Sequence, residues 1–409
     1  LWKPDINVRE NIKYNDAVKD IRKLIINSVK IRTRSDVDLA FCLSGGVDSN
    51  SIIGIANKGL KQKTHAFSII NKDSRYEETD MINLAIKDQN LKCNKIHLKK
   101  KNFLKNLTKQ ILHAGRPIYT ISYYLQNFLM QKISSKGFKV SLSGTGADEI
   151  FTGYYDHYNL YAYQSRKNIY YNQKVTKYWT KNIKEYVRNP YLKDLKLYYK
   201  NKNFRDHIYL NNNFFSNFFY DNWKEKFQEK IYTSDLLKNR MLNEMFHEAV
   251  PIILSEDDNN AMSYSIENRS PYLDIPLLNY VLNLPSVYLM QNGVSKSLLR
   301  DAMKGIVPDV VLNDIRFMVK NHNVQFIILD HLSILLSGNE SNDERKTIDI
   351  TMTKLRSFVE ETKIGMLLIS HLRRSHQDKG HEDGLRTSLA QLRGSAGIGQ
   401  LSDIVIGLE

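Results

Sequence analysis

The feature that most constrains this chain is an apolar run that stops on a glycine-rich loop and resumes as an apolar, helix-like run. Val37-Asp-Leu-Ala-Phe-Cys-Leu43 leads directly into Ser44-Gly-Gly-Val-Asp-Ser49. A strand that enters a tight turn and then a helix is the opening of a strand–helix–strand unit, and so of a parallel sheet. Gly45 and Gly46 permit the turn and let backbone approach a ligand closely. The helix start beyond them offers free N–H groups and the positive end of its dipole to an anion. Ser44 and Ser49 add hydroxyl donors. Asp48 would repel a phosphate unless a Mg²⁺ lay between them, so the loop reads as a Mg²⁺–phosphate site. The bland alternative is a glycine-rich turn without a ligand; the strand before and the helix after favour the phosphate loop.

The same arrangement recurs. Phe138-Lys-Val-Ser-Leu142 runs into Ser143-Gly-Thr-Gly-Ala-Asp-Glu149, again small residues and acids after a strand. Thr64–Ile70 and Asn94–Leu98 also read as buried strands, with helix-length segments at Tyr76–Gln89 and Tyr124–Ser134 between them. The alternation predicts an α/β fold with both faces of a parallel sheet covered. From Ser234 to Leu254 the period is helical, with Leu236, Met241, Met245 and Val250 on one stripe, which predicts a helical second half. In an open parallel sheet, loops at the carboxyl ends of strands face a common ligand, so Asp48 and Asp148 are expected to meet at one Mg²⁺–phosphate group. No Gly-x-x-x-x-Gly-Lys-Ser/Thr loop occurs anywhere.

Ser-Gly-Gly-x-Asp-Ser is the loop of the ATP pyrophosphatases. Together with Ser143-Gly-Thr-Gly-Ala-Asp-Glu-Ile-Phe-Thr-Gly-Tyr154 it resembles the synthetase domain of glutamine-dependent asparagine synthetase. Phe67-Ser-Ile69, Tyr76-Glu-Glu78, Ala261–Asp274 and Gly293-Val-Ser-Lys-Ser-Leu-Leu-Arg300 resemble further family motifs, in family order. The resemblance covers residues 1–316. It implies that Leu43 to Ser49 (Ser44, Gly45, Gly46, Asp48 and Ser49 among them), Ile69, Ser143 and Gly144 hold ATP. It implies that Asp48 and Asp148 bind Mg²⁺ and that Lys296 neutralises charge on the phosphates. Glu267, Arg269 and Asp274 look positional and are left open between a buried ion-pair network shaping the pocket and direct chemistry. The implied reaction is adenylation of the aspartate side chain with release of pyrophosphate, then displacement of AMP by ammonia. One departure bears on catalysis. Thr145 stands where the family carries a Glu that acts in the second step, and Thr by itself is no acid–base residue, so the acceptor carboxylate is open. The family's glutaminase domain has no counterpart here, which implies free ammonia or a separate glutaminase subunit.

Past residue 316 the pattern changes. Aromatics thin out after His322, and Val324-Gln-Phe-Ile-Ile-Leu-Asp330 is an apolar strand ending in Asp. A helix follows to Glu361, then the strand Ile364-Gly-Met-Leu-Leu-Ile-Ser-His371. Residues 317–409 resemble a partial RecA-like core of the phage and mitochondrial type of replicative helicase. Asp330 matches the Walker B acid and His371 the γ-phosphate sensor, with Arg393–Gly397 near the DNA-binding loops. Without a Walker A loop this segment makes no complete ATP site, so nucleic acid is a partner only through this tail. His371, His376 and His381 read as solvated loop residues rather than metal ligands. The join near 313–323 reads as the seam of two genes, made by recombination or by an error in assembling the sequence, and the alternative readings of the whole are a helicase-derived ATP- and DNA-binding protein or an inactive fusion.

Bulk properties add exclusions. The formal net charge of +15 is spread through Lys-, Asn- and Tyr-rich stretches, which reads as a solvated surface rather than a binding stripe. No apolar run reaches membrane-span length. Two cysteines, Cys42 and Cys93, suit a reducing cytoplasm. A first residue of Leu1 implies processing or a longer parent chain.

Overall fold

The computed structural model describes residues 4, 6–8, 11–70, 78–97, 102–208, 216–218, 220, 228–307, 325–329, 332, 344–370 and 397–406. The chain divides into two compact units, Leu1–Val307 and Pro308–Glu409.

The first unit is built on a parallel sheet of β1 (Leu39–Cys42), β2 (His65–Ile70), β3 (Lys92–His97), β4 (Val140–Leu142) and β5 (Glu267–Arg269), in the order β3-β2-β1-β4-β5. Alternation along β1 sends side chains to both faces. Phe41 joins one core with Ile21 and Ile25 of helix α1 (Tyr14–Arg32) and with Ile52 and Ile53 of α2 (Val47–Gly54). Ala40 joins the other, with Phe67, Met130, Ile133 and Ala261. Burying a side chain such as Phe41 stabilises by about 1.5–3 kcal/mol. Both faces are covered, as an all-parallel sheet requires.

Helices α3 (Thr79–Gln89), α4 (Phe103–Ala114) and α5 (Ile121–Ser135) connect the strands up to β4. Between β4 and β5 the chain inserts α6 (Ala147–Phe151), α7 (Tyr155–Gln164), α8 (Ile169–Asn182) and the helices Leu236–Phe246 and Ala249–Met262. Ile275–Leu282 and Ser297–Ala302 follow β5.

Two expectations are corrected. The helical stretch from Ser234 is two helices, because His247 and Glu248 leave helical geometry between Phe246 and Ala249. The strand around Asn94–Leu98 is not buried: β3 is an edge strand, and Lys92, Lys95 and His97 are exposed along it. Charged residues suit an edge that must not pair further.

In the second unit β6 (Phe326–Leu329) and β7 (Gly365–Leu368) pair in parallel, from Phe326 with Gly365 to Leu329 with Leu368. The helix Glu344–Thr362 lies between them in sequence and buries Ile348, Met352, Leu355 and Phe358, one helical stripe. Asp330, His371 and the Arg393-to-Ser395 stretch lie outside the described residues. Among the described residues no helix is long and apolar enough to cross a membrane.

Candidate active site

The strand order places the site. The chain runs outward from β1 through β2 to β3, then returns to lay β4 against the free side of β1. At such a reversal the loops leaving two neighbouring strands diverge and open a crevice at their carboxyl ends. The loops are Ser44–Ser49 after β1 and Ser143–Glu149 after β4. A cavity of about 600 Å³ lies there, lined among others by Ser44, Asp48, Ile69, Gly144, Thr145 and Asp148. Leu43 and Ser49 line it too, whereas Gly45, Gly46, Ser143 and Lys296 are not in its wall. Its size is that of a small-molecule site.

The first loop is held by its own polar groups. The Ser44 N–H donates to Ser49 Oγ at 3.0 Å, and the two hydroxyls are 3.0 Å apart. Asn50 Nδ2 donates to the carbonyls of Ser44 at 3.1 Å and Gly46 at 2.8 Å. The Gly45 N–H donates to Glu78 Oε2 at 2.8 Å, which brings the end of the Tyr76-Glu-Glu78 motif onto the loop. Tyr76 and Glu77 lie outside the described residues.

Lys296 joins the two loops. Its Nζ donates to Asp48 Oδ2 at 2.7 Å and lies 2.5 Å from Asp148 Oδ1. Burial alone would lower the ammonium's pKa, but Asp48 and Asp148 outweigh it and hold the proton on more firmly than usual. Burial raises the Asp48 carboxyl above the ordinary range; Lys296 opposes that and Asp148 adds to it. Lys296 is the N-cap of Ser297–Ala302, in the left-handed region at φ 57°, and its N–H donates to Phe151 O at 2.9 Å. A side chain there costs about 1–2 kcal/mol, which the surrounding contacts must offset. Gly153 makes the approach possible: a methyl group on it would overlap Asp148 Oδ1 and lie 2.6 Å from Lys296 Cε.

These carboxylates fit a divalent cation. Two of them converge, and Asp48 Oδ1 is buried with no hydrogen-bond partner. Such an oxygen is costly unless a cation or water meets it.

Across the crevice, Thr145 Oγ1 donates to Asp257 Oδ2 at 2.8 Å. Asp257 sits in the helix Ala249–Met262, is 4% exposed, and also accepts from Gln126 Nε2. Burial pushes its carboxyl upward, while the bonds from Gln126 and Thr145 partly oppose this. Glu149, 1% exposed, accepts a short bond from Tyr154 Oη, and burial lifts its carboxyl to about 7.

A profile of the asparagine synthase family matches residues 20–361 of this sequence. This chain belongs to that family. Asparagine synthetase [glutamine-hydrolyzing] 1 of Bacillus subtilis (strain 168) is 28% identical over 323 residues, 72% of this chain and 48% of that protein. A putative asparagine synthetase [glutamine-hydrolyzing] 2 of Methanocaldococcus jannaschii is 31% identical over 145 residues, 35% of this chain and 28% of that one. A DNA helicase/primase of Enterobacteria phage T3 is 40% identical over 111 residues, 27% of this chain and 20% of its own length. The chain thus spans about half or less of these curated relatives.

The family's Glu-x-Arg segment stands apart from the cavity. Arg269 donates to Glu267 Oε1 at 2.8 Å and to the carbonyls of Arg32 at 2.8 Å and Arg34 at 2.9 Å, while Asp274 pairs with Arg32 at 2.9 Å. These contacts are not a buried network at the cavity: the Glu267 side chain is 63% exposed, and none of the three residues lines it. Asp257, Gln126, Glu149 and Gly153 went unremarked as site residues in the sequence. The one signal for Asp257 was an acidic run, Glu256-Asp-Asp258, inside an otherwise apolar helix.

Proposed function

We propose that the first unit is an ATP-dependent carbon–nitrogen ligase that adenylates a carboxylate, with aspartate the first candidate, and then transfers it to ammonia. The carrying observation is Lys296 braced between Asp48 and Asp148, one from each crevice loop. The Ser44–Ser49 loop would cradle the β- and γ-phosphates, and Leu43, Ile69, Ser143 and Gly144 the rest of the nucleotide. Asp48 and Asp148 would hold Mg²⁺, which when bound shields the phosphates' charge. Lys296 stabilises negative charge as pyrophosphate departs, and the rigid walls align acceptor and nucleotide. The ammonia source is free ammonia or a separate glutaminase. Unpaired Cys42 and Cys93 suit a reducing cytoplasm.

The test is pyrophosphate–ATP exchange on the purified chain with aspartate and then other carboxylates, beside Asp48→Ala. Exchange that needs one carboxylate and vanishes in the variant supports the reading and names the acceptor. Folded protein without exchange on any carboxylate overturns it.

For the second unit we propose a helicase-derived segment starting near residue 317, without helicase activity of its own. A 111-residue similarity to the phage relative supports a helicase-derived stretch in the chain, and the parallel strand pair around a helix agrees with it. The family match continues to residue 361, but the motifs that carry the ligase chemistry end at Arg300, and we keep the earlier boundary. A transcript crossing residues 313–323 would establish the joined gene; its absence would remove it.

A further inference from the structure

We propose that Thr145 meets the incoming amine in the second half-reaction and passes its proton to Asp257, the buried carboxylate that positions the threonine hydroxyl. The inference rests on the ligase reading above.

A threonine hydroxyl alone is too weak an acid and too weak a base to move a proton near neutrality. Held against a carboxylate it becomes a relay, because it can accept one proton as it gives up another. The required geometry is present. Thr145 lines the cavity beside Gly144 and Asp148, so its hydroxyl is at the wall where the acyl group must lie. Its proton points to Asp257 Oδ2, 2.8 Å away, and Ser143 Oγ lies 3.1 Å from Thr145 Oγ1 on the other side. Asn268 Nδ2 reaches both Ser143 Oγ at 3.2 Å and Asp257 Oδ2 at 3.4 Å. Asp257 cannot itself touch the acceptor: it is shut behind Thr145 and fixed on its far oxygen by Gln126. Both oxygens of Asp257 accept hydrogen bonds, Oδ1 from Gln126 and Oδ2 from Thr145 and Asn268, a pattern that a carboxylate can meet and a single amide oxygen cannot.

The step balances. The amine nitrogen bonds to the acyl carbon, the bond from that carbon to the AMP oxygen breaks, and AMP leaves with the electron pair. The nitrogen gives one proton to Thr145 Oγ1 as the hydroxyl's own proton moves to Asp257 Oδ2. After AMP departs, Asp257 returns the proton through Thr145 to water in the cavity. Three other titratable groups bear on Asp257: Glu256 on its own helix, paired to Arg116; Cys42 on β1; and Tyr123 on α5.

The experiment uses the full chain and two readouts: pyrophosphate–ATP exchange for adenylation, and hydroxamate formation with hydroxylamine for the amine step. The acceptor is whichever carboxylate supports exchange. Asp257→Asn and Thr145→Val should lower hydroxamate formation about 10²-fold or more, the scale of a lost proton transfer, while exchange falls only severalfold. Asp257→Asn should also flatten the acid side of the hydroxamate pH profile, which a packing defect would not do. Thr145→Glu placed on Asp257→Asn should restore at least part of the lost rate. Equal losses in both readouts, or hydroxamate formation unmoved by Asp257→Asn, would overturn the relay while the ligase reading stands. Wild-type protein without exchange on any carboxylate would remove the ligase reading, and the relay with it.

Discussion

At the scale of single residues the site depends on charges kept close by small neighbours. Lys296 is in salt-bridge contact with two carboxylates, so Lys296→Met should lower pyrophosphate exchange by about 10²–10³-fold, the scale of one lost electrostatic stabiliser. Gly153→Ala tests the same contact from the backbone. Its methyl group would displace Asp148 and Lys296, so exchange should collapse while the thermal midpoint moves little. Differential scanning beside the exchange assay separates the two effects. Lys296 was legible in the sequence only through its motif, since spacing says nothing about a left-handed N-cap. Asp257 was not legible, because its bond to Thr145 spans residues far apart in the chain and depends on how the helix Ala249–Met262 packs against α5 and β5. The places of the loops Ser44–Ser49 and Ser143–Glu149 after β1 and β4 were legible, because a strand, a glycine turn and an acid are all local, but the burial of Glu149 was not.

At the scale of elements, the strands were readable from their apolar runs, but β5 was not. It is three residues long and polar, and only pairing with β4 makes it a strand. The helical insert between them is joined by a buried charge network that no local pattern announces. Arg240 reaches Asp156 at 3.3 Å, Glu244 at 3.0 Å, Glu229 at 3.0 Å and Glu248 at 2.7 Å, and His157 meets Glu244 at 2.9 Å. The three groups Asp156, His157 and Glu244 are spaced like metal ligands, yet Arg240 already answers the two acids. Arg240→Met strands them, and urea unfolding should show a loss of about 3–5 kcal/mol. Glu149, on α6, supplies a pH test. Burial raises its carboxyl from 4.5 to about 7, so the fold holds a proton that the unfolded chain releases between those values. Its contribution is therefore intact below 4.5 and lost as pH rises through about 7. Glu149→Gln should gain stability over wild type across that window, read from urea midpoints at either end.

At the scale of the molecule, a strongly basic chain carries an acidic crevice. The net charge of +15 coexists with Asp48, Glu78, Asp148 and Glu149 around one cavity. Bulk charge thus gives little guide to the site, and the carboxylates are what call for a cation beside phosphate. Each residue assigned to adenylation lies before Val307, within the first unit. A chain ended at Val307 should therefore keep pyrophosphate exchange within severalfold of the full chain. Loss of exchange with loss of the circular-dichroism signal would make the second unit a folding requirement.

The strand order has an evolutionary consequence. On the proposed reading the phosphates lie in the loop after β1, while the acceptor side of the cavity includes Thr145 after β4 and Ile253 from a helix of the long insert. Mutation in that insert can redraw the acceptor wall and leave the adenylating edge alone. A lineage with this sheet can change which acid it activates without reinventing how it spends ATP, and Thr145 backed by Asp257 is a place where such drift would be recorded.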